Sequence, residues 1–193
     1  MNRLKFLTIA LVLVTGTIQA QHINIGIKGG LNAFTISSNN NTDYNVKLGF
    51  VAGLLGHIHL SQKYAFQPEI VYSVQGSSYK ISGSDSKLNL NYINIPLIFQ
   101  YMYDNGFRLQ AGPQVGFLTG AKFVSGSNEV DLKSSFKSTD IGVSVGMSYV
   151  KPSTGLGIDV RYNHGLTDID VSSNKSFNRG GQLTIFYLFA HKS

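Results

Sequence analysis

The sequence predicts an all-β fold: an eight-stranded antiparallel up-and-down transmembrane β-barrel, preceded by a cleavable signal peptide. Three observations carry this reading. Eight runs alternate apolar and polar residues with period two, the side-chain repeat of a β-strand. The connections between the runs alternate between long and short. The polar face of the runs is rich in glycine and carries charges of both signs, which suits the inside of a narrow barrel.

The 193 residues suffice for one domain with a real core. Lys and Arg exceed Asp and Glu by six, but they are scattered, so nucleic acid is not an expected partner. The absence of cysteine excludes a disulfide framework, a thiolate metal site and a cysteine nucleophile. Residues 1–20 read as the signal: Arg3 and Lys5 form a basic start, residues 6–14 an apolar stretch, and residues 15–20 a cleavage region ending at Ala20. The apolar stretch is too short to span a membrane as a helix. Residues 21–193 then form the barrel domain.

The first run, 22–33, sets Ile23, Ile25, Ile27 and Leu31 against Asn24, Gly26, Lys28, Gly30 and Asn32. The second, 46–60, sets Leu48, Phe50, Ala52, Leu54 and Ile58 against Lys47, Gly49, Gly53, His57 and His59. In the third, 63–76, Tyr64, Phe66, Ile70, Tyr72 and Val74 oppose Gln67, Glu69, Ser73 and Gln75. The fourth, 88–102, opposes Ile93, Ile95, Leu97, Phe99 and Tyr101 to Tyr92, Asn94, Pro96, Ile98 and Gln100. Pro96 removes a ladder donor, so a bulge or local break is expected there. The fifth, 106–120, opposes Phe107, Leu109, Ala111, Val115 and Phe117 to Arg108, Gln110, Gly112, Gln114 and Gly116. The sixth, 139–150, opposes Ile141, Val143, Val145, Met147 and Tyr149 to Asp140, Gly142, Ser144, Gly146 and Ser148. In the seventh, 155–166, Leu156, Ile158, Val160 and Tyr162 alternate with Gly157, Asp159, Arg161 and Asn163. In the eighth, 180–189, Leu183, Ile185, Tyr187 and Phe189 alternate with Gln182, Thr184, Phe186 and Leu188. Long loops are expected at 34–45, 77–87, 121–138 and 167–178, and short turns at 61–62, 103–106 and 151–154. Short turns at one end and long loops at the other match outer-membrane barrels.

Alternation alone does not say which face is wet, because a soluble lipocalin-like binding barrel alternates too. Three features turn the apolar face to lipid. Interior glycines make room in a narrow lumen, whereas exposed strand glycines only weaken a sheet. The polar face carries charges that can pair across such a lumen: Lys28, Glu69, Arg108, Asp140, Asp159 and Arg161. Apolar-face aromatics gather toward strand ends, Tyr64, Tyr101 and Phe107 at one and Phe50, Tyr72 and Tyr162 at the other, as two interfacial girdles require. The six charges are expected to pair, the three cations with the three carboxylates, as a plug rather than a solute site.

Other candidates carry less. His57 and His59 share a face without an evident third ligand, so no metal is expected. Asp168 and Asp170 lack the glycine and distal glutamate of an EF-hand loop. No nucleophile elbow, phosphate loop or dinucleotide motif is present, and no cofactor is implied. The alternative reading, a lipid-modifying enzyme, would use a pair such as His164 with a loop serine. Phe189 is placed as a terminal aromatic that barrel-assembly machinery could read, although residues 190–193 extend past it.

The stretches Gly26-Ile27-Lys28-Gly29-Gly30-Leu31-Asn32, Pro68-Glu69, Gln75-Gly76, Tyr92-Ile93-Asn94-Ile95-Pro96-Leu97, Ala111-Gly112-Pro113, Asp140-Ile141-Gly142, and Arg161-Tyr162 followed by Gly165-Leu166 run through the chain in order. This set resembles the outer-membrane β-barrel domain of the porin-like, PorT-like proteins of Gram-negative bacteria. The resemblance implies an eight-stranded outer-membrane barrel without implying one activity; the PorT-like name invites a role in protein secretion. The expected protein is a monomer in outer-membrane lipid, with a structural, surface-interaction or narrow-pore role and no catalysis. Its long loops are expected to meet an external ligand or protein.

Overall fold

The computed structural model describes residues 23–38, 44–81, 84–172 and 175–189. The expected signal segment, the Asn39-Asn40-Asn41 run and residues 190–193 lie outside these. Nine strands follow one another: β1 (Ile23–Ser38), β2 (Asn45–His59), β3 (Tyr64–Ile81), β4 (Ser84–Met102), β5 (Phe107–Ser125), β6 (Asn128–Asp131), β7 (Thr139–Val150), β8 (Leu156–Gly165) and β9 (Ser176–Leu188). All but β6 form a closed ring of eight. Each strand pairs antiparallel with its ring neighbours, β5 with β7, and β1 with β9 closes the circle. Closure leaves the ring no open edge, the condition for β structure inside a bilayer.

The faces divide cleanly. On β2, Leu48 is 74% exposed and Val51 1%. On β9, Leu183, Ile185 and Tyr187 face outward, as does Phe189 just past its end, while Phe186 and Leu188 are buried. The apolar face therefore looks outward, the reverse of a soluble lipocalin-like barrel. Outward aromatics form chains of ring contacts: Tyr64 with Tyr101, Tyr101 with Tyr103 and Tyr103 with Phe107 at the short-turn end, and Phe50 with Tyr72 toward the other.

The turns explain themselves chemically. In 103–106, the Gly106 N–H donates to the Tyr103 carbonyl at 3.0 Å and Asn105 Oδ1 accepts from the Phe107 N–H. Gly106 has φ +89° and Gly155, closing the β7–β8 turn, +73°, a region glycine enters without penalty.

The opposite end departs from expectation. β3 and β4 continue to Ile81 and from Ser84, so most of the expected 77–87 loop is paired strand. The expected 121–138 loop holds the end of β5, all of β6 and a 3-10 turn, Lys133–Ser135. β1 likewise runs to Ser38, and β9 begins at Ser176. Serine, lysine and asparagine there mark strands that have left the apolar band for water, where a ladder still forms. Pro96 keeps its register, but the β3–β4 pairing skips between Pro68↔Leu97 and Val71↔Asn94, a local break. The shift in register on β4 lies instead at Asn91 and Tyr92.

Candidate functional site

The lumen is stratified. At the short-turn end Leu55, Val150, Phe186 and Leu188 pack into an apolar plug. At the long-loop end Ile36, Leu88, Leu90, Tyr92, Leu118, Ala121 and Ile169 form a second, backed by Tyr44, Tyr79, Leu132 and Phe136. Polar side chains fill the space between.

Four charges meet there. Lys28 Nζ, from β1, lies 3.1 Å from Glu69 Oε2 on β3 and 3.7 Å from Asp159 Oδ2 on β8. Arg161 Nη2 lies 2.7 Å from both Glu69 Oε1 and Asp159 Oδ2. These side chains are at most 1% exposed. Two cations stand against two carboxylates, the pairing that buried ions require, while Asp159 Oδ1 and Arg161 Nε have no hydrogen-bond partner among the described residues. Three glutamines extend the lattice. Gln67 donates to Glu69 at 2.7 Å and Gln110 to Asp159 at 2.9 Å, while Gln100 donates to both Gln67 and Gln110. The result links β1, β3, β4, β5 and β8 across the lumen.

Arg108 and Asp140 stand apart from this set. Arg108 Nη1 donates to Gln100 Oε1 at 3.5 Å, and among the described residues it meets no carboxylate. Asp140 sits beneath the upper plug, accepting from Asn178 at 3.0 Å and Thr167 at 3.1 Å. Beside it a cavity of about 10 Å³, lined by Phe34, Gln75, Gln114 and Asn163 among others, has room for about one water. The glutamines are the site members that charge counting missed; their inward positions beside charged neighbours were the available signal.

The remaining candidates are placed as follows. His57 and His59 hold their rings edge to face, centroids 4.6 Å apart. Among the described residues no cluster of three metal-ligating side chains includes them. His164 faces outward, its Nδ1 3.3 Å from the Tyr162 hydroxyl. Asp168, in the loop above β8, has its carboxyl held down to about 2, first by Lys137 Nζ at 2.6 Å and then by the Ser176 N–H.

A family model described as "Outer membrane protein beta-barrel domain" matches residues 19–171. Among solved structures, Neisserial surface protein A aligns over 89% of this chain and 100% of its own, with TM-score 0.57 and 15% identity. Ail, the attachment invasion locus protein of Yersinia pestis, aligns over 86% and 98%, with TM-score 0.54 and 14% identity. Ail has also been solved with the heparin analogue sucrose octasulfate, and that structure aligns over 87% and 99%, with TM-score 0.54 and 13% identity. At these identities the likeness is one of fold. No curated protein sequence matches the chain.

Proposed function

Because the chain belongs to the outer membrane protein beta-barrel domain family, and so lies in the outer membrane, we propose that it works there as a closed, non-catalytic monomer whose long-loop end meets external partners. The observation that carries this is the filled lumen: a four-charge lattice between two apolar plugs. An eight-stranded ring encloses only enough room for side chains, and here they occupy it. Closure favours a surface role over a pore.

The β3–β4 and β5–β6 hairpins supply the presenting surface. Lys80, Lys87, Glu129, Asp131 and Lys133 are exposed there, with Val130 49% exposed. His164, the catalytic candidate of the alternative reading, faces outward beside the Tyr162 hydroxyl. Within the family, the Gly26–Asn32 and Tyr92–Leu97 stretches support a place among the PorT-like barrels.

Conductance in planar bilayers tests the proposal. The purified chain should insert without discrete, stable conductance steps. Reproducible single-channel steps would establish a pore and overturn the closed reading.

A further inference from the structure

We propose that the outward wall of β8 and β9, at the long-loop rim, is a binding site for the phosphate of the phosphorylated glycolipid of the outer leaflet. Arg179 is its principal contact, with His164 and Tyr162 beside it. The proposal rests on the membrane reading above.

The outward positions of β9, taken upward from the short-turn end, are Tyr187, Ile185, Leu183, Gly181, Arg179 and Phe177, with Phe189 just below the strand. On β8 they are Leu156, Ile158, Val160, Tyr162 and His164. Both columns are apolar up to the rim, where His164 ends the β8 column and Arg179 stands on β9 one step below Phe177. The register places Arg179 directly opposite His164 on β8 and Thr35 on β1. Side chains so paired share one face with Cβ atoms about 5 Å apart. From Phe189 to Arg179 a tilted strand climbs about 25 Å, the height of the apolar band in such barrels. Arg179 therefore stands at headgroup level, one step above the girdle residue Tyr162.

Its guanidinium has no partner among the described residues, in hydrogen bond or ion pair. Three other cations at this end are held, whereas Lys80, Lys87 and Lys133 project from the hairpins into water. Lys122 is held by Glu129 and Lys137 by Asp168, both at 2.6 Å, and Lys47 donates to the Gln75 carbonyl. An arginine that no described carboxylate meets, at the edge of hydrocarbon, is stabilised by an anion brought by the lipid. Phosphate suits the guanidinium fork, which can donate two parallel hydrogen bonds to it. The wall beneath is open: a Cβ added at Gly181 would meet nothing nearer than the Arg161 carbonyl at 4.0 Å. Acyl chains can lie there against Leu183, Val160 and Leu31, all about half exposed. A water-soluble phosphate would gain nothing from that wall, which is why the lipid is the proposed source.

The test uses the full chain, folded in detergent and checked by heat-modifiable gel mobility. Retention of diphosphoryl lipid A is compared with that of its dephosphorylated form by native mass spectrometry. The wild type should retain the phosphorylated form about tenfold better, the scale of one charge-assisted hydrogen-bonded contact. Arg179→Gln should remove the preference, Arg179→Lys should keep part of it, and Lys151→Gln at the opposite end should leave it unchanged. Equal retention of the two lipids by folded wild type overturns the proposal without any variant, as does an undiminished preference in Arg179→Gln. A chain that never becomes heat-modifiable overturns the barrel reading itself, a distinguishable failure.

Discussion

Glu69 accepts hydrogen bonds from Lys28, Gln67 and Arg161 while shut off from water. Removing its charge leaves two buried cations facing Asp159 alone. Breaking one partner out of a buried set costs about 3–5 kcal/mol, because the remaining charge is uncompensated. Glu69→Gln should therefore lower the urea midpoint of the vesicle-inserted barrel by an amount equivalent to about 3 kcal/mol or more; an unchanged midpoint would show that the lattice contributes nothing net. Alternation alone sets the side of the strand on which each of the six charges lies, but not its height. Height depends on register and tilt, which no local pattern encodes. That is why Lys28, Glu69, Asp159 and Arg161 meet while Arg108 and Asp140 find amide and hydroxyl partners at other levels.

The strands show a second limit of sequence reading. Interior glycines were expected to make room for large side chains, and at Gly157 that is the case: an added Cβ would strike the Phe186 ring. At Gly30, Gly53 and Gly112 the obstacle is instead the main chain of the adjoining strand, at Leu183, Ile70 and Leu97. A small ring bends its strands so sharply that neighbouring backbones crowd the inward Cβ positions. Composition shows the glycines; only the curvature shows what they avoid. Gly29 and Gly30 give the contrast side by side. A Cβ at outward Gly29 would make ordinary contact with the Val51 carbonyl at 3.8 Å. Gly30→Val should cost about 3 kcal/mol or more through overpacking against backbone, abolishing or weakening heat-modifiable mobility. Gly29→Val should keep it. Comparable mobility for the two variants would contradict this account.

At the scale of the molecule, the two ends differ in everything but their apolar plugs. Short turns, both ends of the described chain and the aromatic chain from Tyr64 to Phe107 gather at one end; long strands that outrun the lipid gather at the other. The alternation of long and short connections made this polarity legible, while the length of strand above the membrane was not, since polar alternation there mimics loop composition. An exported barrel with this asymmetry keeps its short turns in the periplasm. Lys80 and Lys133 then face the medium, and Lys63 and Lys151, exposed at the turns, face the periplasm. Trypsin added to intact cells should cut after Lys133, whose short 3-10 turn has no buried residue, and spare Lys63 and Lys151 until the outer membrane is permeabilised. The ring pairs β5 directly with β7 below the cut, so the nicked halves should migrate together in an unheated gel and separate on boiling. Cleavage at Lys63 or Lys151 in intact cells would reverse the orientation, and with it the assignment of the Arg179 rim to the outer leaflet.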